Sequence, residues 1–364
     1  MTISPLKHLL EQIEDQLEST GIRGHIARLE ITGEGVVQME LALGERRSWY
    51  AWENQALSKL PVATDDKLPL AARLNDASFA ARTRLLSYRP GRRLTLIDYS
   101  GQKPRILKGF RRGHLDRMVR KYEVAHAALA GRGVHAPEVI EYDTANEALV
   151  MVFKAGERLR LSADTTELFY LVGKGLRDFQ EHDALADECA FDSRAELQVI
   201  DKHAARLQQM GGQLPGHWPG LRKRLAEASA GLAPAVVGLA HRDLHDKQFI
   251  QQVNYLALLD FDLMSRADVA LDAANFLAHL VLRKLQGLQG ASQRGIDAGG
   301  KKFLQGLARN EESGFWERLR FYQATTFCRL ALVYAVRPKW VGLMPDLVTM
   351  GNRCLDDLDR IKET

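Results

Sequence analysis

The residues from Gly238 to Leu280, GLAHRDLHDKQFIQQVNYLALLDFDLMSRADVALDAANFLAHL, restrict the fold more than any other part of the chain. An apolar pair, Phe249-Ile250, and an apolar run from Tyr255 to Leu259 flank the polar segment Gln251-Gln252-Val253-Asn254, the pattern of a hairpin. His241-Arg242-Asp243 precedes the first strand, and Asp260-Phe261-Asp262 follows the second. Closing the ribbon brings Asp243, Gln248 and Asp260 toward one end, where their oxygens can meet one phosphate and its metal ion. Phosphoryl transfer has those needs: a carboxylate to orient or deprotonate an attacking hydroxyl, and hard oxygens to hold magnesium on the nucleotide phosphates. Asp243 is the candidate for the first task, and Asp260 with Gln248 for the second.

HRDLHDKQ followed by LLDFD resembles the catalytic and metal-binding loops of the kinase superfamily. The details are closer to the aminoglycoside phosphotransferase and choline kinase branch than to protein kinases. His245 stands where protein kinases carry lysine, and Asp262 where their Asp-Phe-Gly has glycine. Ala267-Asp268 and Leu271-Asp272-Ala273-Ala274 resemble the downstream pattern of the same branch. The resemblance covers roughly residues 76 to 340. It implies an α+β, bilobal protein-kinase-like fold with a small antiparallel-sheet N-lobe and a mainly helical C-lobe. The activity it implies is ATP- and magnesium-dependent transfer of the γ-phosphate to a hydroxyl of a small molecule such as a sugar, amino alcohol or aminoglycoside.

Roles are carried over position by position. Lys108, in a strand-like run, is expected to hold the nucleotide phosphates, and Glu123, on the following helix, to orient Lys108. Met151 and Phe153 lie in the edge (residues 151–154) expected to meet the nucleotide base. The turn at Pro90-Gly91 takes the place of a phosphate-covering loop but has one glycine; its Arg92, with Arg93 beside it, is a candidate phosphate contact. His241 is expected to hold the catalytic loop, and Asp272 to cap a helix, brace that loop, or both. Asp260 is the main magnesium ligand, assisted by Gln248 and Asp262. Gln248 departs from the usual asparagine, and its extra methylene requires a shifted backbone or rotamer for direct metal contact. A catalytically impaired module that binds nucleotide or a metabolite is therefore the alternative.

A chain of 364 residues, 46% hydrophobic and 26% charged, is long enough for two or three cores. The expected division is an extension over 1–75, an N-lobe over 76–157 and a C-lobe over 158–364. In the extension, Leu6, Leu9, Leu10, Ile13 and Leu17 predict a helix, and residues 29–41 a hairpin; Trp49, Tyr50 and Trp52 are expected to be packing anchors. N-lobe strands are expected over 85–88, 94–97, 105–110 and 147–153, with a helix over 121–129. Helices are expected over 168–182, 194–210, 221–232, 315–336 and 347–361, with a mobile loop over 286–300. A net charge of +4 demands no nucleic-acid partner, although Arg89, Arg92, Arg93, Arg111, Arg112, Arg117 and Arg120 suggest one as a third reading. Cys189, Cys328 and Cys354 show neither metal nor redox spacing and are expected to be small buried residues. Without a leader pattern or an apolar run of membrane length, the expectation is a cytoplasmic protein whose partners are ATP and a small hydroxyl acceptor.

Overall fold

The computed structural model describes residues 5–131, 133–160, 165–185, 190–288, 292–309 and 312–363. The chain opens with helix α1 (Pro5–Ser19), which buries Leu6, Ile13 and Leu17 on one face. An antiparallel four-stranded sheet follows in sequential order: β1 (His25–Ile31), β2 (Val37–Leu43), β3 (Arg46–Glu53) and β4 (Ala56–Leu60). The expected hairpin is β1–β2. The sequence reading missed β3 and β4 as strands, and the reason is visible in β3. Trp49 and Tyr50 are adjacent, so they point to opposite faces, yet both are buried. A strand covered on both sides loses the alternation by which strands are recognised.

Short helices α2 (Pro69–Ala72) and α3 (Ala77–Arg82) lead into β5 (Thr83–Arg89), β6 (Arg93–Asp98) and β7 (Arg105–Gly109). Helix α4 (Leu115–Leu129) and the short β8 (Val134–His135) precede β9 (Val139–Asp143) and β10 (Ala148–Val152). These strands, β8 apart, form one antiparallel sheet in the order β5-β6-β7-β10-β9. Lys108 sits in its middle, opposite Thr95 on one side and Leu149 on the other. That position fixes its backbone and leaves only the side chain to be aimed.

The rest is mainly helical. Helices α5 (Thr166–Gln180), α6 (Ser193–Gln209) and α7 (Trp218–Ala230) precede β11 (Val237–Ala240), β12 (Phe249–Gln251), β13 (Leu256–Leu258) and β14 (Ser265–Asp268). Then come α8 (Ala270–Leu285), α9 (Gln293–Leu307), α10 (Phe315–Ala335) and α11 (Met344–Glu363). β12 pairs antiparallel with β13, as the hairpin pattern requires, and β11 pairs with β14, so the two acidic loops leave neighbouring ribbons. Helix α10 is buried on nearly every side, from Phe315 to Ala335, and forms the axis of the C-lobe.

The mobile loop expected over 286–300 is corrected: from Gln293 onward it is α9, with Ile296, Phe303 and Leu307 buried. Its glycines serve contact rather than looseness. A Cβ on Gly306 would lie 2.1 Å from the Tyr170 carbonyl, and one on Gly173 in α5 would lie 2.0 Å from that of Phe303. Glycine lets the two backbones touch there. Cys328 and Cys354 are buried as expected, which pushes both thiols up to about 12; Cys189 lies outside the described residues.

The first 60 residues contact both lobes. Leu6 N donates to the Gly211 carbonyl at 3.2 Å and Leu29 N to that of Val336 at 3.1 Å. Trp49 Nε1 donates to the Tyr88 carbonyl at 2.9 Å. Two strands and a helix are thereby tied against α6, the end of α10 and β5.

Candidate active site

The loop that carries Asp243 is assembled by two buried side chains. Asp272, in the first turn of α8 and fully buried, accepts from His241 N at 2.6 Å and Arg242 N at 2.7 Å. Burial pushes its carboxyl up, and His241 and the two backbone amides pull it part of the way back. Asp272 is thus the loop brace and not the cap; the residue at the cap is Val269, and the Ala270 N–H behind it donates to Asp268 Oδ1 at 2.9 Å. His241, also fully buried, accepts from Asp243 N on Nδ1 at 3.3 Å. Its Nε2 then carries the proton and donates to the Leu259 carbonyl at 2.8 Å. One imidazole therefore spans from Asp243 to the residue preceding Asp260. Arg242 and Asp260 both have φ +66°, outside the comfortable range of a residue with a Cβ, so the surrounding bonds hold the two loops in tension.

Around Asp260 the charges converge. Lys108 Nζ donates to Asp260 Oδ1 at 2.8 Å, Asp262 Oδ1 at 2.5 Å and the Tyr122 hydroxyl at 2.9 Å. Arg93 Nη1 reaches Asp260 Oδ2 at 3.1 Å and Asp262 Oδ2 at 3.3 Å. Burial alone would push the Lys108 ammonium down, but the two carboxylates outweigh it and hold it above its ordinary value. Conversely, burial would raise the Asp260 carboxyl, and Lys108 and Arg93 hold it far below the usual range. Lys108, Arg93 and Asp260 are therefore charged at neutral pH.

Several expected roles are corrected. Glu123 does not orient Lys108; it lies on the exposed face of α4 and accepts from the Tyr142 hydroxyl. The buried face of α4 carries Tyr122, Ala125 and Leu129, so its neighbour Tyr122 meets Lys108. Arg92 faces Glu30 at 3.9 Å, and Arg93 takes the place at the carboxylates. Arg93 lies two residues before Thr95, the cross-strand partner of Lys108, so the two cations share a sheet face. Gln248 Nε2 donates to Asp243 Oδ2 at 3.3 Å, which ties its amide to the Asp243 carboxylate rather than to the Asp260 pair. Met151 is paired within the sheet to both Ile106 and Val139, whereas Phe153 is the first residue beyond β10 and is half-buried.

Among the described residues no group of three or more His, Cys, Asp or Glu side chains has metal-binding geometry. The donor set is instead two carboxylates, Asp260 and Asp262, that already meet at one ammonium, with the Gln248 amide nearby on the catalytic loop. Hard oxygens of this kind suit magnesium completed by water and phosphate oxygens. The residues fit the ion.

A model of the phosphotransferase enzyme family, APH, matches residues 93–321. The chain belongs to that family. Among solved structures, an amicoumacin kinase in complex with AMP-PNP and Ca2+ aligns with TM-score 0.55 and 14% identity, over 78% of this chain and 93% of that one. An ADP-bound aminoglycoside phosphotransferase aligns with TM-score 0.52 and 15% identity, over 77% and 99%. A choline/ethanolamine kinase family protein from Mesorhizobium loti aligns with TM-score 0.50 and 16% identity, over 80% and 93%. At such identities the likeness shows the fold, which is the bilobal kinase-like one. No curated protein matches the sequence. The family match begins at Arg93, so the first 92 residues lie outside it.

The sequence reading also gave the extension no place beside Asp243. A cavity of about 350 Å³ beside Asp243 and His245 is lined by Arg28 to Ile31 of β1 as well as by α6, α8 and the end of α10. Nothing local in β1 announces that role, since it depends on how the first sheet docks.

Proposed function

We propose that the chain is an ATP-dependent phosphotransferase that moves the γ-phosphate to a hydroxyl of a small molecule. The carrying observation is the His241 imidazole, which joins Asp243 N to the Leu259 carbonyl and so couples the catalytic carboxylate to the Lys108–Asp260–Asp262 cluster.

In this reading Lys108 and Arg93 bind nucleotide phosphates, with Tyr122 positioning Lys108 in place of a helix glutamate. Asp260 and Asp262, with Gln248 assisting, would hold magnesium, which supplies neutralisation of phosphate charge when bound. Asp243 accepts the proton of the acceptor hydroxyl, and Gln248 and His245 limit the directions its carboxylate can take. Since the transferring phosphoryl needs little covalent help, the rate gain comes from alignment and charge.

Asp243→Asn tests it. Turnover, read as ADP release, is expected to fall by about 10²- to 10⁴-fold while the nucleotide still binds. Unchanged turnover refutes the role of Asp243. The alternative, an impaired nucleotide-binding module, is favoured by the missing glutamate at Lys108 and by the Gln248–Asp243 bond; it predicts nucleotide binding with no turnover in either form.

A further inference from the structure

The cavity next to Asp243 has a charge that the site chemistry does not require. Its lining holds seven arginines and Lys247, against Glu30 and Asp243 as the acids. Some of that charge is already answered. Arg283 pairs with buried Asp246 at 2.7 Å, Arg329 with Glu196 at 3.2 Å, and Arg89 with Glu30 at 2.8 Å. Among the described residues Arg206, Lys247 and Arg337 have no carboxylate within ion-pair distance. They come from α6, the catalytic loop and the turn after α10, three separate elements whose side chains line one cavity. Folding has gathered cations here that it does not neutralise.

Two histidines of the wall bear on this. His279 leaves Nδ1 buried with no hydrogen-bond partner among the described residues, an unmet polar atom in the cavity wall. His203, in the same wall, has its imidazole pushed down to about 4, by burial first and then by Arg329, Arg206 and Arg89. Burial is the larger cause, and the neighbouring arginines act in the same direction. Glu30 shows one anion already held in this wall: Arg89 donates to its Oε1 from Nε at 2.9 Å and Nη2 at 2.8 Å, and from Nε to Oε2 at 3.2 Å, charge-assisted contacts of a kind that phosphate oxygens can also accept.

We propose that this cavity is the acceptor site and that the acceptor is an anionic alcohol, a sugar-sized hydroxyl compound carrying phosphate or carboxylate groups. The inference rests on the phosphotransferase reading above, because it takes Asp243 as the group that meets the acceptor hydroxyl. Arg206, Arg337 and Lys247 bind the anionic group, and the hydroxyl to be phosphorylated faces Asp243. A volume of about 350 Å³ holds a monosaccharide derivative and is small for an oligosaccharide. An ammonium-bearing acceptor would enter against the same field and be excluded by it. The N-terminal extension acquires a purpose: β1 closes the cavity and supplies Arg28 and Glu30.

The test is a titration by calorimetry of the full chain with magnesium and AMP-PNP filling the nucleotide site. The ligands are matched in size: glucose, glucosamine, glucuronate and glucose 6-phosphate. AMP-PNP binding is read first; its absence overturns the phosphotransferase reading, whereas the charge preference among the sugars is measured with or without it. We expect at least one of the two anionic sugars to bind at least about tenfold tighter than glucose, and glucosamine to bind weakest. The order of glucuronate and glucose 6-phosphate decides between carboxylate and phosphate. Arg206→Ala and Arg337→Ala should each remove most of that preference, and Arg337→Lys should restore part of it. Equal or tighter binding of glucosamine, no binding by either anionic sugar, or an anion preference that survives both alanine variants overturns the proposal.

Discussion

Asp272 offers the sharpest test of how the loop carrying Asp243 is held. It is fully buried, and its two oxygens each take one amide, His241 N at 2.6 Å and Arg242 N at 2.7 Å. Replacing it with alanine leaves both N–H groups without the acceptor that folding gave them. A hydrogen bond to a charged group contributes about 1.5–3 kcal/mol, so two would give about 3–6. Recovering the desolvation of a carboxylate that burial already disfavours offsets part of this. A net loss of about 3 kcal/mol is the expectation for Asp272→Ala, and about half of that for Asp272→Asn, which keeps one oxygen. If the loss is local, 3 kcal/mol is about a hundredfold in the opening equilibrium of the loop. Hydrogen exchange read on peptides spanning residues 239–244 should therefore accelerate about a hundredfold in Asp272→Ala. Peptides from α11 should be far less affected, and turnover should fall with exchange protection because Asp243 rides on the same loop. Wild-type exchange in that peptide, with stability within about 0.5 kcal/mol of wild type, would refute the bracing argument.

Acid should weaken the fold through His203. Its pKa is about 4 in the folded chain against an ordinary 6.5, so the unfolded chain binds the extra proton between those values. Stability is fully present above pH 6.5 and falls as pH drops toward 4, by on the order of 3 kcal/mol at the limit; urea midpoints for His203→Gln should show a flatter slope over that window. Two glycines separate contact from propensity. Gly306→Ala places a Cβ 2.1 Å from the Tyr170 carbonyl and should cost about 1–3 kcal/mol or more by thermal unfolding. Gly220→Ala, on α7 with nothing within 4 Å, should instead stabilise by about 0.5–1 kcal/mol; a matching loss at both positions would contradict the close-approach account.

Much of the fold and the centre of the site were present in the residues themselves. Asp243, Asp260 and the hairpin between them were legible because a turn-bounded apolar ribbon leaves its flanking loops at one end, whatever the rest of the chain does. Four of the five N-lobe strands and most of the C-lobe helices carried their periods openly; the edge strand β9 (Val139–Asp143), largely exposed, was missed. Where burial removed the period, as in β3, the strand was not legible, and where glycines served helix contact, as in α9, helix read as loop.

Neighbouring residues decided the errors in the site. Arg92 and Arg93, and Tyr122 and Glu123, differ by one position: Arg92 ends the turn while Arg93 opens β6, and on the helix one position is about 100° of rotation. The phase of α4 was already written in Tyr122, Ala125 and Leu129, so Glu123 could have been turned outward from sequence alone. The face of Arg93 needed the register of β6 on β7, a property of two strands together. The cationic cavity needed still more, since Arg28, Arg206, Lys247 and Arg337 are separated by up to about three hundred residues and only docking of the first sheet against α6 and α10 sets them around Asp243. A sequence fixes chemistry that is local in the chain; chemistry that depends on the sum of many distant charges exists only once packing has placed them.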